Sequence, residues 1–325
     1  MAVQTLLQFA ADLNITETGQ IQFRGQDVVQ EPDADKLHSA LSECVYRFLY
    51  SHPDGNGLEA FKAEAPDIEL IEAFKAANQV PNFSQEGWRV QAILDKGAIL
   101  ANRQGAVRKF QPGQYLCAEN HYPLRENAMV RVFHVANTAG AQPGFYHIFG
   151  ADSLDAAEGL QLVRLYFNVK LEKAPEFVRV LTKALTRYKI AFTFKIASRK
   201  CDFTRVDTAV LYVPYRMLAP LTLVLRGLKA ELRDLLDPET PYFTREIFEG
   251  VGFAEEPEKQ GSFGSNRSEL IANALMAARA ENTICNKTFL EAFVQQVAQA
   301  GLTLDDMHLR PGSKADYSFI EDLAA

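Results

Sequence analysis

Apolar and polar residues alternate in three stretches of the chain, and this is the pattern of β-strands with two different faces. The stretches cover residues 164–169, 192–196 and 205–213. Side chains two positions apart on a strand point to the same side, so each stretch should gather its polar groups on one face. The polar positions predicted to share a face within a stretch are Arg164, Tyr166 and Asn168, then Thr193 and Lys195, then Arg205 and Asp207.

Two interpretations fit this alternation. If the three strands are neighbours in one sheet, guanidinium groups, an amine, a phenol and a carboxylate gather on one surface, which would make an anion site with a base in it. Alternatively, the polar residues simply form the solvated face that antiparallel sheets commonly have. Alternation alone does not decide between a site and an ordinary wet face.

The rest of the chain predicts helices before and after a run of short strands. Residues 1–35 suggest a hairpin and a loop, and helical spacing of apolar residues follows over 35–52, 58–64 and 67–78. Short strands are predicted at 90–94, 98–102, 106–110, 130–135 and 145–149, and later helices at 174–187, 215–236, 265–279 and 287–301. Strands in runs, with helices between and after them, indicate an α+β fold with a central, mainly antiparallel sheet and packed helices. We divide it into a mainly helical region, 1–90, and an α+β domain, 91–325.

The segment from 241 to 267 has two notable parts. Residues 241–257 are predicted to be a long ordered loop. The glycine-bearing run that follows leads into a helix, with Ser265 or Asn266 as the N-cap and Glu269 in the first turn. A helix N-terminus offers backbone N–H groups to an anion, and Arg267 would add a bidentate clamp. The alternative is a simple cap without a ligand.

Composition narrows the function classes. The net charge of −7 over 325 residues argues against general binding of nucleic acid or anionic membranes, so a basic site must be local. No apolar run approaches the length of a membrane span, and no secretory signal is visible, so a cytoplasmic protein is expected. The four cysteines and six histidines lack the spacing of metal ligands or redox pairs, and no nucleotide-binding loop occurs. We expect no metal and no cofactor.

Three strings resemble a known family. They are Arg-Leu-Tyr-Phe-Asn-Val at 164–169, Leu-Tyr-Val-Pro-Tyr at 211–215, and Glu-Glu-Pro followed by Ser-Phe-Gly-Ser-Asn-Arg between 255 and 267. This pattern is similar to the HopA-type effector family, over roughly residues 36–310 and most strongly over 160–280. That family includes type III effectors of plant pathogens and the lyase component of class V lanthipeptide and thioamitide biosynthesis. More distantly, the pattern resembles bacterial phosphothreonine lyases.

The resemblance implies a role for several residues. Lys195 falls where phosphothreonine lyases place their general base, and Tyr166 falls where they place a histidine acid. Asp207 has no counterpart there, and we expect it to orient Lys195 or an arginine. The residues implied to bind phosphate are Arg205, Tyr212 and Arg267, with Arg164 at a further basic position. Asn168, His147 and Arg216 are additional candidates from their place in the sequence, although His147 is equally expected as a packed strand residue.

The implied reaction is β-elimination from phosphoserine or phosphothreonine in a precursor peptide made on the ribosome, with a separate Ser/Thr kinase as partner. The base must be uncharged, and bringing a lysine from a pKa of roughly 10.4 to neutrality takes about 4 kcal/mol. An arginine about 6 Å away contributes nearly 3 kcal/mol at an effective dielectric of about 20, so two arginines would suffice. Two alternatives stay open: a non-catalytic effector-like module that binds a phosphorylated or acidic partner, and an eliminase that also forms thioether rings.

Overall fold

The structure is a computed structural model of the chain. The residues it describes are 3–16, 19–29, 34–52, 65–117, 124–150, 161–257, 261–280, 283–284, 286–318 and 320. The helix predicted over 58–64 lies outside the described residues. None of the helices in these ranges has the length and apolarity that crossing a membrane requires.

The N-terminal region combines helices with a small antiparallel sheet. Its elements are α1 (Val3–Asp12), β1 (Leu13–Ile15), β2 (Ile21–Phe23), β3 (Gln26–Val29), α2 (Ala34–Val45), a π-helix (Tyr46–Ser51) and α3 (Ile68–Ala77). The helix predicted over 35–52 is thus α2 continued by the π-helix, in which each turn holds one extra residue. π-Helical turns are rare in proteins overall, but those that do occur are often found at functional sites.

A five-stranded antiparallel sheet follows, in the order β6-β5-β4-β8-β7. Its strands are β4 (Phe83–Ile93), β5 (Ile99–Arg103), β6 (Ala106–Phe110), β7 (Tyr115–Cys117) and β8 (Met129–His134). One face buries a small core around Trp88. The strand predicted at 90–94 is the second half of β4, which begins inside the region that we predicted to be helical.

The central sheet has seven antiparallel strands in the order β14-β15-β11-β13-β12-β10-β9. Its strands are β9 (Asn137–Thr138), β10 (Phe145–Phe149), β11 (Leu162–Phe167), β12 (Thr193–Ala197), β13 (Ala209–Pro214), β14 (Arg245–Phe248) and β15 (Val251–Glu255). The remaining elements are α4 (Ala174–Arg187), α5 (Leu218–Leu235), α6 (Phe263–Ala278), β16 (Arg279–Ala280), β17 (Thr283–Ile284) and α7 (Asn286–Gln299). The α+β class and the mainly antiparallel central sheet are confirmed, and the strands that contain Arg164, Lys195 and residues 209–213 are neighbours, in the order β11-β13-β12.

Both faces of the central sheet are covered, but by different helices. Leu165, Phe167 and Phe194 lie on one face and pack with α3, α4 and α5. Tyr166 and Val210 lie on the other face and pack with α1, α2, the π-helix, α6 and α7. The polar face is therefore no ordinary solvated face, because Arg164 and Tyr166 are 6% and 2% exposed. Buried charges of this kind need partners.

Three local predictions were wrong. Residues 241–257 are not a long loop, because β14 and β15 form a hairpin whose second strand pairs with β11. The third polar stretch becomes a strand only at Ala209, after a turn that holds Arg205 and Asp207. Helix α6 starts at Phe263 with Ser262 as its N-cap, whose hydroxyl accepts from the Ser265 N–H at 3.0 Å. Ser265, Asn266 and Glu269 are thus helical residues beyond the cap.

Replacing Gly264 by alanine is expected to destabilise the protein by about 1–3 kcal/mol, the usual cost of overpacking. A Cβ at this position in α6 would lie 2.5 Å from the Tyr50 ring and 2.7 Å from the Tyr46 ring. The control is Gly227→Ala in α5, where a Cβ would meet no atom within 4 Å. That change should stabilise by about 0.5–1 kcal/mol, because alanine favours helix. Denaturant unfolding of both variants measures this, and equal effects would contradict the packing described.

Candidate active site

Lys195 lies on the face of the central sheet that carries Tyr166. Its strand, β12, pairs with β13 on one side and β10 on the other, and the register sets Lys195 directly opposite Val210 and His147. The amine lies 4.3 Å from the centroid of the Phe145 ring and 5.9 Å from that of Tyr212, and it donates to the Gln142 side-chain oxygen at 3.3 Å. The amine is thus held against aromatic rings near the edge of the helical cover.

Burial is the main cause that lowers the pKa of Lys195, from 10.5 to about 8. Asp207 opposes this shift, while the charges of Arg164 and Arg205 lower the pKa further. We expected the arginines to be the principal cause; instead, desolvation dominates, because the aromatic surroundings penalise the charged form. At neutral pH a useful fraction of this side chain is therefore the free amine.

Arg164 lies near Lys195 and is itself neutralised. Both its Nε and Nη2 donate to the Glu256 carboxylate, which forms a bidentate pair. Its guanidinium also lies over the Tyr212 ring, 5.1 Å from the centroid. Arg164 and Tyr212 are directly opposite in register on β11 and β13, which explains their contact. The two residues and Glu256 form one side of the site.

Arg205 and Asp207 form the other charged pair, in the turn before β13. Arg205 donates to the two Asp207 oxygens at 2.8 and 2.9 Å, and to the Tyr46 hydroxyl at 2.8 Å. Burial tends to raise the pKa of Asp207, but Arg205 and Lys195 outweigh this effect and lower it, so Asp207 stays ionised. The π-helix holds this turn in place, since the Ser51 carbonyl accepts from the Val206 N–H at 2.9 Å.

Tyr166, at the expected acid position, and the additional candidate His147 lie in different surroundings. Tyr166 is buried between Tyr50 and Phe263, and burial raises its pKa to about 12. The charge of Arg164 opposes this rise. His147 faces Lys195 across the β10–β12 pair, and burial together with the charge of Lys195 lowers its pKa. The neutral imidazole is therefore the titratable group next to Lys195 in register.

The Arg267 side chain donates hydrogen bonds to the backbone of the C-terminal segment. It is 6% exposed on α6, where its Nε donates to the Met307 carbonyl at 2.7 Å and its Nη2 to the Leu309 carbonyl at 2.6 Å. Burial lowers its pKa to about 10. Two of the five N–H groups of this guanidinium thus serve the fold, and a phosphate contact would use those that remain.

Replacing Arg267 by alanine should lower the free energy of unfolding by at least about 1.5–3 kcal/mol, because two carbonyls lose a charged donor. The control is Arg179→Ala, on the exposed face of α4, where an ion pair with Glu176 has both side chains 45% exposed. That change should stay within about 0.5 kcal/mol. If chemical denaturation finds Arg267→Ala as stable as the control, the anchoring role described is wrong.

Two further candidates lie apart from this cluster. The Asn168 side chain is buried and donates to the Glu239 carbonyl at 3.2 Å, and Asn168 follows the end of β11. Arg216 is exposed in a 3₁₀-helix, Tyr215–Met217, that begins after β13 ends. The hydrogen bond of Asn168 to the Glu239 carbonyl therefore stabilises the fold.

Sequence patterns had missed four members of the site. Glu256 was quoted in the family string without a role, although a carboxylate is the natural partner of a buried arginine. Tyr46 had no signal, because it lies off the apolar stripe of a helix that changes to π geometry. Gln142 and Phe145 reach Lys195 only through the pairing of β10 with β12. Non-local strand register cannot be read from a single sequence.

Comparison with known proteins gives the family. The HopA1 effector protein family matches residues 136–309, more than half of the chain. The chain belongs to this family, and the matched range contains every candidate site residue named from the sequence. No curated protein matches it.

Two solved structures are similar at low identity. One is "The structure of the effector protein from Pseudomonas syringae pv. tomato strain DC3000", 17% identical over 87% of this chain and 92% of that chain, with a TM-score of 0.47. The other is the effector protein from Pseudomonas syringae pv. syringae strain 61, 17% identical over 84% of this chain and 95% of that chain, with a TM-score of 0.46.

Proposed function

We propose that the protein is a phosphoserine/phosphothreonine lyase acting on a peptide, with Lys195 as the base. The observation that carries this proposal is the setting of Lys195: an amine with a pKa of about 8 that lies against two aromatic rings and between two arginine-containing pairs. Side chains whose pKa is strongly shifted by burial and by specific charged neighbours are concentrated at functional sites. The resemblance to phosphothreonine lyases, which puts Lys195 at the position of their general base, supports the same assignment.

The reaction balances without water or a cofactor. The Lys195 amine takes the Cα proton, the electron pair forms the Cα–Cβ double bond, and the Cβ–O bond breaks to release phosphate. The products are a dehydroalanine or dehydrobutyrine residue, inorganic phosphate and a protonated Lys195. Loss of that proton to solvent restores the base. A precursor peptide and a kinase that phosphorylates it are the partners that this chemistry requires.

The phosphate would bind between Arg164 and Arg205. Each guanidinium has five N–H groups, of which Arg164 uses two on Glu256 and Arg205 three on Asp207 and Tyr46. The remaining N–H groups can donate to phosphate oxygens while the carboxylates hold the guanidinium planes in position. We further propose that the Tyr212 hydroxyl donates to the same phosphate.

The proposal is tested by incubating the protein with a synthetic phosphothreonine peptide and measuring released phosphate and peptide mass. We expect phosphate to appear together with a peptide lighter by one phosphoric acid. Phosphate release with water added back, which would give threonine, would instead indicate a phosphatase. Tight binding of the peptide with no change in mass would support the non-catalytic effector-like module.

A further inference from the structure

A cleft of about 410 Å³ lies between the central sheet and the five-stranded sheet. One wall comes from the five-stranded sheet and the residues beside it, and the other from the ends of β10 and β12. Its lining includes Phe83, Arg108, Phe133, Val135, Phe149 and Thr193. The cleft is thus a junction of two sheets, and neither sheet forms it alone.

This cleft continues from the candidate active site. Thr193 lines it, and Thr193 is two positions before Lys195 on β12, so both side chains point to the same side. Thr193 also pairs with Phe149 on β10 and with Tyr212 on β13. Two residues of strand span about 7 Å, so a peptide with its phosphorylated residue at Lys195 would reach the cleft within a few residues.

The chemistry of the cleft is apolar and positive. Aromatic rings and Val135 supply most of its lining, Arg108 adds a half-buried guanidinium, and none of the described residues that line the cleft is acidic. His134 lies in the same wall. Burial is the main cause that lowers its pKa, and the positive charges of Arg108 and Arg103 lower it further. Such a surface suits a large apolar side chain beside a carboxylate.

We propose that this cleft holds a large apolar side chain of the peptide substrate, within a few residues of the phosphorylated one, next to an acidic residue that faces Arg108. This inference rests on the proposed function for the class of substrate. It assigns the five-stranded sheet a part in choosing the peptide, in addition to the phosphate site on the central sheet.

Binding of labelled phosphopeptides tests the cleft, and we would use the Lys195→Ala protein so that no turnover occurs. The probes are short fluorescein-labelled peptides of glycine and serine with one phosphothreonine and a Phe-Glu pair moved from one to three positions on either side of it. Fluorescence anisotropy should show about tenfold tighter binding for at least one placement than for the peptide with Ala-Gln instead, because a phenylalanine side chain is buried.

Two matched variants locate the effect. Val135→Asp puts a negative charge in the cleft, and Val294→Asp makes the same change on α7, where the valine is exposed as well, at 44% against 59% for Val135. Only Val135→Asp should abolish the preference for the Phe-Glu peptide while leaving the Ala-Gln peptide bound as before. Equal affinity for all peptides, or equal effects of the two variants, would overturn the proposal.

The outcome is separable from that of the proposed function. If the unaltered protein releases no phosphate and the Phe-Glu preference still depends on Val135, the cleft binds peptide and the lyase assignment fails. If phosphate is released equally from every placement of the Phe-Glu pair, the lyase stands and the cleft has no part in selecting the peptide.

Discussion

Lys195→Ala is expected to reduce the rate of phosphate release from a phosphothreonine peptide by about 10²–10⁴-fold, the usual contribution of a positioned base. The amine is the one group in the site that combines a lowered pKa with a place beside both arginine pairs. Removing it leaves the phosphate pocket in place, so peptide affinity should change far less than kcat. Phosphate release under saturating peptide and fluorescence binding measure the two effects separately.

Lys195→Arg and Lys183→Ala serve as controls for this result. Arginine keeps the charge against Phe145 but does not lose its proton in proteins, so it should be as inactive as alanine. Lys183 is exposed on α4, and its loss should leave the rate unchanged. Added small primary amines should restore part of the activity of Lys195→Ala only. Activity in Lys195→Ala equal to that of the unaltered protein would remove Lys195 as the base.

Asp207→Ala is expected to cost about 3–5 kcal/mol of stability, because it leaves the Arg205 charge buried without its carboxylate. The side chains of this pair are 16% and 7% exposed, so solvent screens the interaction little. The pKa of Asp207 is lowered in the folded state. The difference in stability should therefore be complete above about pH 4, the pKa of an unfolded aspartate, and should shrink as the pH falls through the lower folded value.

The same change should shift the activity profile. Asp207 is the strongest influence that raises the pKa of Lys195, so its removal should lower that pKa below about 8. The double variant Arg205→Met/Asp207→Leu removes both charges and should lose less stability than Asp207→Ala. If the double variant is the less stable of the two, or if the pH midpoint moves upward in Asp207→Ala, the electrostatic account of this pair is wrong.

Much of the site could be predicted because alternation on a strand is a local property. Arg164 and Tyr166 share a face for geometric reasons alone, and so do Thr193 and Lys195. The order of the strands and the cover over them are not local. That α6 and the π-helix bury this face follows from packing between segments that are distant in the sequence, as in the contact of Arg205 with Tyr46, which are 159 residues apart.

Charge partners were the least predictable part. The sequence shows Arg164 but not that Glu256 neutralises it, because this pair joins segments that are 92 residues apart. The pair of Arg205 with Asp207 is local, two positions apart in one turn, and fits the expectation that Asp207 orients Lys195 or an arginine. The depth of burial is likewise not visible in the sequence, so arginines were expected as the main cause that lowers the Lys195 pKa, whereas burial is the larger cause. Likewise, the sequence predicts a loop where the hairpin β14–β15 forms, because its glycines and short strands show no clear alternation.

The central claim, that a free amine at position 195 removes the proton, is tested most directly by the pH dependence of kcat/KM for phosphate release, which reports ionisations of the free enzyme. Phosphopeptides complete their second ionisation near pH 6. We predict that kcat/KM rises tenfold per pH unit above this range and levels off near pH 8, the pKa of Lys195. A profile that is flat between pH 6.5 and 9, or that falls over this interval, would contradict the account.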